Sequence, residues 1–136
     1  MRNIVGALLL IALAFIAQGQ TPSNPDKIKI TNLYTAAPVT RGVENELTVE
    51  VAYTFESADE AEIGLGFNID KPSAFKMIES RIVKKGTDAV TFKVKVIPVD
   101  WGERGRFAAM VYISKHPHEA PWKPSASDRR EIPVGQ

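Results

Sequence analysis

From position 46 to position 55 the chain alternates strictly. Leu47, Val49, Val51, Tyr53 and Phe55 fall on one side, and Glu46, Thr48, Glu50, Ala52 and Thr54 on the other. Successive side chains of an extended backbone point to opposite faces, so this is the pattern of a half-buried β-strand. At helical spacing the same apolar residues would scatter round the whole cylinder. A strand with one apolar face needs neighbours beside it and a second layer over that face.

The same period recurs along the chain. Residues 27–34 carry Ile28 and Ile30 on one face. In 61–69, Ile63, Leu65 and Phe67 alternate with Glu62, Gly64, Gly66 and Asn68. A weaker run at 76–84 ends in Lys84-Lys85-Gly86, a charged terminus of the kind that guards a sheet edge. In 88–97, Val90, Phe92, Val94 and Val96 alternate with Ala89, Thr91, Lys93 and Lys95. In 106–114, Phe107, Ala109, Val111 and Ile113 face one way, and Ala108, Met110 and Tyr112 the other. The run at 129–134 contains Pro133, which confines it to an edge or to the end of its pairing. Polar or proline-bearing stretches separate these runs: 56–60, 70–73, 98–105 and a long loop at 115–128. The prediction is all-β: a seven-stranded antiparallel sandwich with Greek-key connections and no helix. A barrel is the structural rival, because it carries the same period.

Seven short strands without cysteine resemble a bacterial immunoglobulin-like or fibronectin-III-like β-sandwich domain. The connection into the sixth strand, with Asp100, Gly105 and Phe107, resembles the corner of those folds. Phe107 lacks the hydroxyl with which a tyrosine corner bonds back to the backbone. Pro121-Trp122 stands where chagasin-type cysteine-protease inhibitors, which are Ig-like domains, present a Pro-Trp loop. That family's Asn-Pro-Thr-Thr-Gly motif is replaced here by Glu56-Ser57-Ala58-Asp59-Glu60, and its glycine-rich motif is reduced to Lys85-Gly86-Thr87. The resemblance to the inhibitors implies a protease-binding role for the Pro121-Trp122 loop.

The N-terminus changes the picture of where the domain works. Met1-Arg2-Asn3 is a short basic lead, residues 4–16 are uncharged and apolar, and Ala17-Gln18-Gly19 presents small residues at a peptidase site. This is the three-part pattern of a secretory signal, expected to end at residue 19. The run is shorter than the ~20 residues that span a bilayer, so no stable membrane insertion is expected after cleavage. Residues 20–26, with Pro22 and Pro25, read as a flexible segment ahead of a single domain at 27–136. The chain has 17 Lys and Arg against 16 Asp and Glu, and Arg2 leaves with the signal, so the mature balance is neutral. A neutral domain has no electrostatic footprint for nucleic acid. Export without cysteine points to a bacterial envelope, in the periplasm or outside the cell.

Candidate chemistry is sparse. There is no cysteine nucleophile and no G-x-S-x-G elbow. Gly64-Leu65-Gly66 lies inside a strand and not before a helix, which is the wrong context for phosphate. The expectation is therefore no enzyme and no cofactor. His116 and His118, the two histidines, are suitable metal ligands without an identifiable third. Trp122, stiffened by Pro121 and Pro124, is either a binding anchor or a plug holding the long loop to the sandwich. Met110 and Tyr112 lie on the second apolar face of their strand, and a neighbouring strand with Gly64 and Gly66 would give a shallow groove or be covered by them. The sequence thus leads to an exported, non-enzymatic binding or accessory module with a protein partner. The binding candidates are Trp122, Pro121, Tyr112 and Met110, and the Met110/Tyr112 face is also a candidate for self-association. A protease inhibitor and a metal binder through His116 and His118 are the alternatives.

Overall fold

The structure, a computed structural model, describes residues 24–135. The expected signal at 1–19 and the start of the polar segment after it lie outside the described residues. Five strands account for most of the chain: β1 Lys27–Thr35, β2 Asn45–Lys71, β3 Ala74–Val96, β4 Ala108–Lys115 and β5 Ala126–Glu131. A single 3-10 turn, Gly102–Arg104, precedes β4. Among the described residues no helix is long and apolar enough to cross a membrane.

All strand pairings are antiparallel, and one curled sheet results. The first half of β2 lies between β1 and the second half of β3, with Val51 opposite both Ile30 and Val90. The second half of β2 lies between the first half of β3 and β4, with Leu65 opposite Glu79 and Val111. β5 adds to the far side of β4. The two ends of the sheet therefore face each other across one core, in a sandwich-like arrangement. Val49, Val51 and Phe55 from one end and Ile63, Leu65, Phe67 and Val111 from the other are fully buried in it. The alternating runs read from the sequence thus point their apolar faces inward as expected. Asp128 helps close the side between β1 and β5, its Oδ2 accepting the Ile30 amide at 2.9 Å beside a bulge in β1.

The strand count differs from the seven expected, because β2 and β3 each run through what the sequence suggested as a turn. In β2, Glu56–Asp59 remain extended and face only Lys85 across the ladder. These residues include no glycine or proline to reverse the chain, so the strand bends without ending. β3 bends at the same level at Gly86, whose φ of 125° few other residues tolerate. The true reversal between β2 and β3 comes at Pro72-Ser73. The last strand also lies earlier than expected. The apolar residues Ile132 and Val134 drew the prediction to 129–134, but β5 ends before Pro133, which has no amide to give a ladder.

Two buried polar residues tie the chain down, one at the corner before β4 and one at the bend of β2. Asn68 is fully buried. Its Nδ2 donates to the carbonyls of Pro72 (3.1 Å) and Arg106 (2.8 Å), and its Oδ1 accepts the Ala108 amide (2.9 Å). Its own carbonyl accepts the Trp101 indole N–H at 2.7 Å. The corner expected from Asp100, Gly105 and Phe107 is thus organised by Trp101 and Asn68, with Phe107 stacked on Phe67 at 5.6 Å.

Asp26 secures the other bend. It is buried, accepts the Glu56 amide at 2.8 Å and accepts the Ser57 hydroxyl. Asn24 Nδ2 donates to the Ser125 carbonyl at 2.7 Å. The last residues of the polar segment are therefore docked, where the sequence suggested a flexible lead. Burial pushes the Asp26 carboxyl up, but hydrogen bonds from Glu56, Ser57 and Ser125 outweigh it and leave the group below its ordinary value of 3.8. A carboxyl lowered in the folded state stabilises that state above its unfolded pKa, and the contribution is lost as pH falls through the folded value. Asp26→Asn is expected to lower stability at neutral pH by about 1–3 kcal/mol. It should also remove part of the acid sensitivity below about pH 4. Urea unfolding at neutral and acidic pH checks both; equal losses at the two pH values would contradict the assignment.

Candidate binding surface

The outward face of the β3–β2–β4–β5 end is built from the bare positions of β2. Gly64 lies opposite Tyr112 and Gly66 opposite Met110, the neighbour relation that an Ig-like strand order implies. Tyr112 lays its ring directly over Gly64; a β-carbon there would come within 2.2 Å of it. Gly66 is covered from the other side by Met77, whose methyl would be 2.4 Å from an added β-carbon. The glycines are thus roofed by larger side chains, in the manner of aromatics over glycine in sheets. Met110 remains half-buried beside them.

With no side chain at Gly64 in the way, Tyr112 reaches the preceding outward residue of β2. Its hydroxyl donates to Glu62 Oε1 at 2.7 Å. His118 comes down from the 116–125 loop to the same oxygen, its Nε2 at 3.0 Å. Burial, followed by the bond to Glu62 and the charge of that carboxylate, pushes the Tyr112 phenol up. Tyr112 therefore stays a hydrogen-bond donor at physiological pH. Glu62 was read from the sequence only as part of a polar face. Its partner was legible in principle, because the Gly64/Tyr112 register puts the phenol one step from position 62.

Trp122 completes the group. It packs edge-on against Tyr112, with ring centroids 5.1 Å apart, and tilts toward His118 at 6.2 Å. Tyr112 is 7% exposed and Trp122 50%. One side of Trp122 packs against Tyr112, and the other meets solvent. The loop is held at its ends by His116 N to Glu60 O at 3.0 Å and Ser125 N to Ile113 O at 2.8 Å. Lys115 and Glu119 pair across its first turn at 3.1 Å. The His116-Pro117 and Ala120-Pro121 peptide bonds are cis. Pro121, Trp122 and Lys123 line a small cavity of about 220 Å³ beneath the loop, together with Ser114 and His118.

Met110 does not join the Trp122 group; it sits one register step along β4, toward Gly66. His116 and His118 meet edge to face at 6.4 Å. His118 is engaged with Glu62, and the Nδ1 of His116 is buried without a protein partner. Among the described residues no group of three or more His, Cys, Asp or Glu is placed to hold a metal ion. A larger groove, about 600 Å³, lies elsewhere, between the end of β1 and residues 130–135, and has no histidine in its lining. The segments aligned with the other two inhibitor motifs, 56–60 and 85–87, are strand and do not project as loops. No protein-family model matches the chain, and no curated protein matches it in sequence.

Proposed function

We propose that the protein is an exported, non-enzymatic binding module of the bacterial envelope, and that Trp122 is the anchor it offers to a protein partner. The observation that carries this is the state of Trp122. It is half-exposed, yet fixed against Tyr112, which is itself held by Glu62. A large aromatic already immobilised loses little entropy on binding, and such residues dominate interface energetics. Pro121 stiffens the approach to Trp122, while Tyr112 forms the aromatic ground it rests on. The strand neighbours of the curled sheet support an immunoglobulin-like or fibronectin-III-like sandwich, in which each half of β2 and β3 counts as a separate strand. The N-terminal signal pattern supports export, and a cleaved leader leaves nothing to hold the domain in a bilayer.

Trp122→Ala is expected to weaken capture of the partner at least ~10-fold while leaving the fold intact, since half of the side chain is already in water. Pull-down from envelope extract, compared between wild type and Trp122→Ala, measures this. If the same proteins are recovered equally by both, the surface is misassigned. The protease-inhibitor alternative has its own measurement: inhibition of papain-like proteases that disappears in Trp122→Ala would replace the present reading.

A further inference from the structure

The first half of β3 forms an edge. It pairs with β2 on one side and with no other strand among the described residues. Unpaired edges usually carry inward charges or lysines that prevent another chain from pairing; here Lys76, Lys84 and Lys85 stand only at the ends, and the two inward charges, Glu79 and Arg81, are of opposite sign, so a second copy can match them. Here the edge reads Ile78-Glu79-Ser80-Arg81-Ile82. Ile78 and Ile82 are exposed at 36% and 47%. Glu79 and Arg81 have no ion-pair partner among the described residues, and Glu79 Oε2 has no hydrogen-bond donor. Arg81 lies over the Phe92 ring at 4.8 Å, so its guanidinium is held beside the edge.

This stretch is symmetric about Ser80. Turned through a two-fold axis and laid antiparallel to itself, it sets Ser80 opposite Ser80, Glu79 opposite Arg81 twice, and Ile78 opposite Ile82 twice. We propose that this edge is an interface with a second copy of the chain, joining two sheets edge to edge around Ser80. The side chains agree with that register. Glu79 and Arg81 lie across from Leu65 and Ile63, on the same face of the sheet, and Ser80 lies across from Gly64 on the other. Opposed residues in an antiparallel pair share a face, so each glutamate meets an arginine directly. The shift in the β2–β3 register beside Ile78 ends the ladder on that side. Lys76 and Lys84 would otherwise oppose each other at the ends, but Lys76 leans toward Asp70 at 3.8 Å. The pairing is isologous and closes at two copies. Five residues a side make a small interface, so the dimer is weak and forms with rising concentration. This contact is separate from the Trp122 surface.

Sedimentation velocity over a concentration series tests the register by charge exchange. Wild type is expected to dimerise, and Glu79→Arg and Arg81→Glu are each expected to weaken self-association ~10-fold or more, because like charges then face each other. An equimolar mixture of the two variants should associate again, since both cross-pairs become opposite in sign. Trp122→Ala should dimerise as wild type does. Circular dichroism confirms that each variant is folded, and the mixture supplies a gain that misfolding cannot produce. A wild type that stays monomeric at the highest concentration, single variants that still dimerise, or a mixture that fails to associate would each overturn the proposal.

Discussion

A chain carrying Val51→Asp is expected not to fold. Val51 is fully buried at the middle of the first half of β2, with Ile30 on one side of the ladder and Val90 on the other. Removing its side chain alone forfeits about 1.5–3 kcal/mol of apolar burial. A carboxylate in its place would have no cation within the core cluster, which is wholly apolar. Left charged, it costs far more than the domain can offset; neutralised, it is still a polar group without a hydrogen bond, at several kcal/mol. Domains of this size hold about 5–15 kcal/mol in total. The preceding residue, Glu50, shows that the charge is not the problem in itself, since its side chain points to the solvated face of the same strand. Loss of the cooperative thermal transition and of near-ultraviolet circular dichroism would be the readout. A soluble Val51→Asp protein that unfolds cooperatively would show that the register of β2 is wrong.

Asn68→Leu is expected to be the second most damaging change. The volumes are similar, so the substitution leaves little cavity. It does strand the buried amide of Ala108 and the part-buried carbonyls of Pro72 and Arg106. A buried polar group left unpaired costs about 1–3 kcal/mol, and one that water can reach costs less, so a total of about 2–4 kcal/mol is expected if the corner does not rearrange. Asn68→Asp is the informative companion. It keeps the acceptor for Ala108 but turns both donated bonds into repulsions between oxygens. Urea midpoints followed by Trp101 fluorescence would report the corner directly, because the indole donates to the Asn68 carbonyl. A loss below about 1 kcal/mol would mean that Asn68 does not hold the corner.

These two residues also show how much was legible beforehand. Val51 announces itself through its neighbours, because a period of two is a property of the chain alone. Asn68 stands at an outward position of an alternating run, where solvation is the natural reading. It is buried only because residues 98–107 fold back over it. The same holds for Glu62, which reads as a solvated carboxylate until Tyr112 and His118 converge on it from β4 and the following loop. Residues 56–60 are polar and short, which suggests a turn. Their backbone stays extended because Asp26, roughly thirty positions earlier, fixes the Glu56 amide and the Ser57 hydroxyl.

The Trp122 surface was legible as a set of residue types and not as an arrangement. Proline beside tryptophan on a long loop points to an anchor, and two glycines in a strand point to a neighbour with large side chains. Whether the anchor is free or folded back depends on the Tyr112 ring and the Glu62 oxygen, and no local pattern encodes either.

Periodicity alone determined that this chain is all-β and which faces of its strands turn inward. Those features follow from alternation and turn chemistry, which act between near neighbours. Only the tertiary structure decided that two strands bend through the core without ending, that Asp26 holds the bend of β2 and Asn68 the corner before β4, and that Trp122 is fixed yet half-exposed. Each of these depends on residues far apart in the chain meeting in space, and on buried polar groups finding partners there.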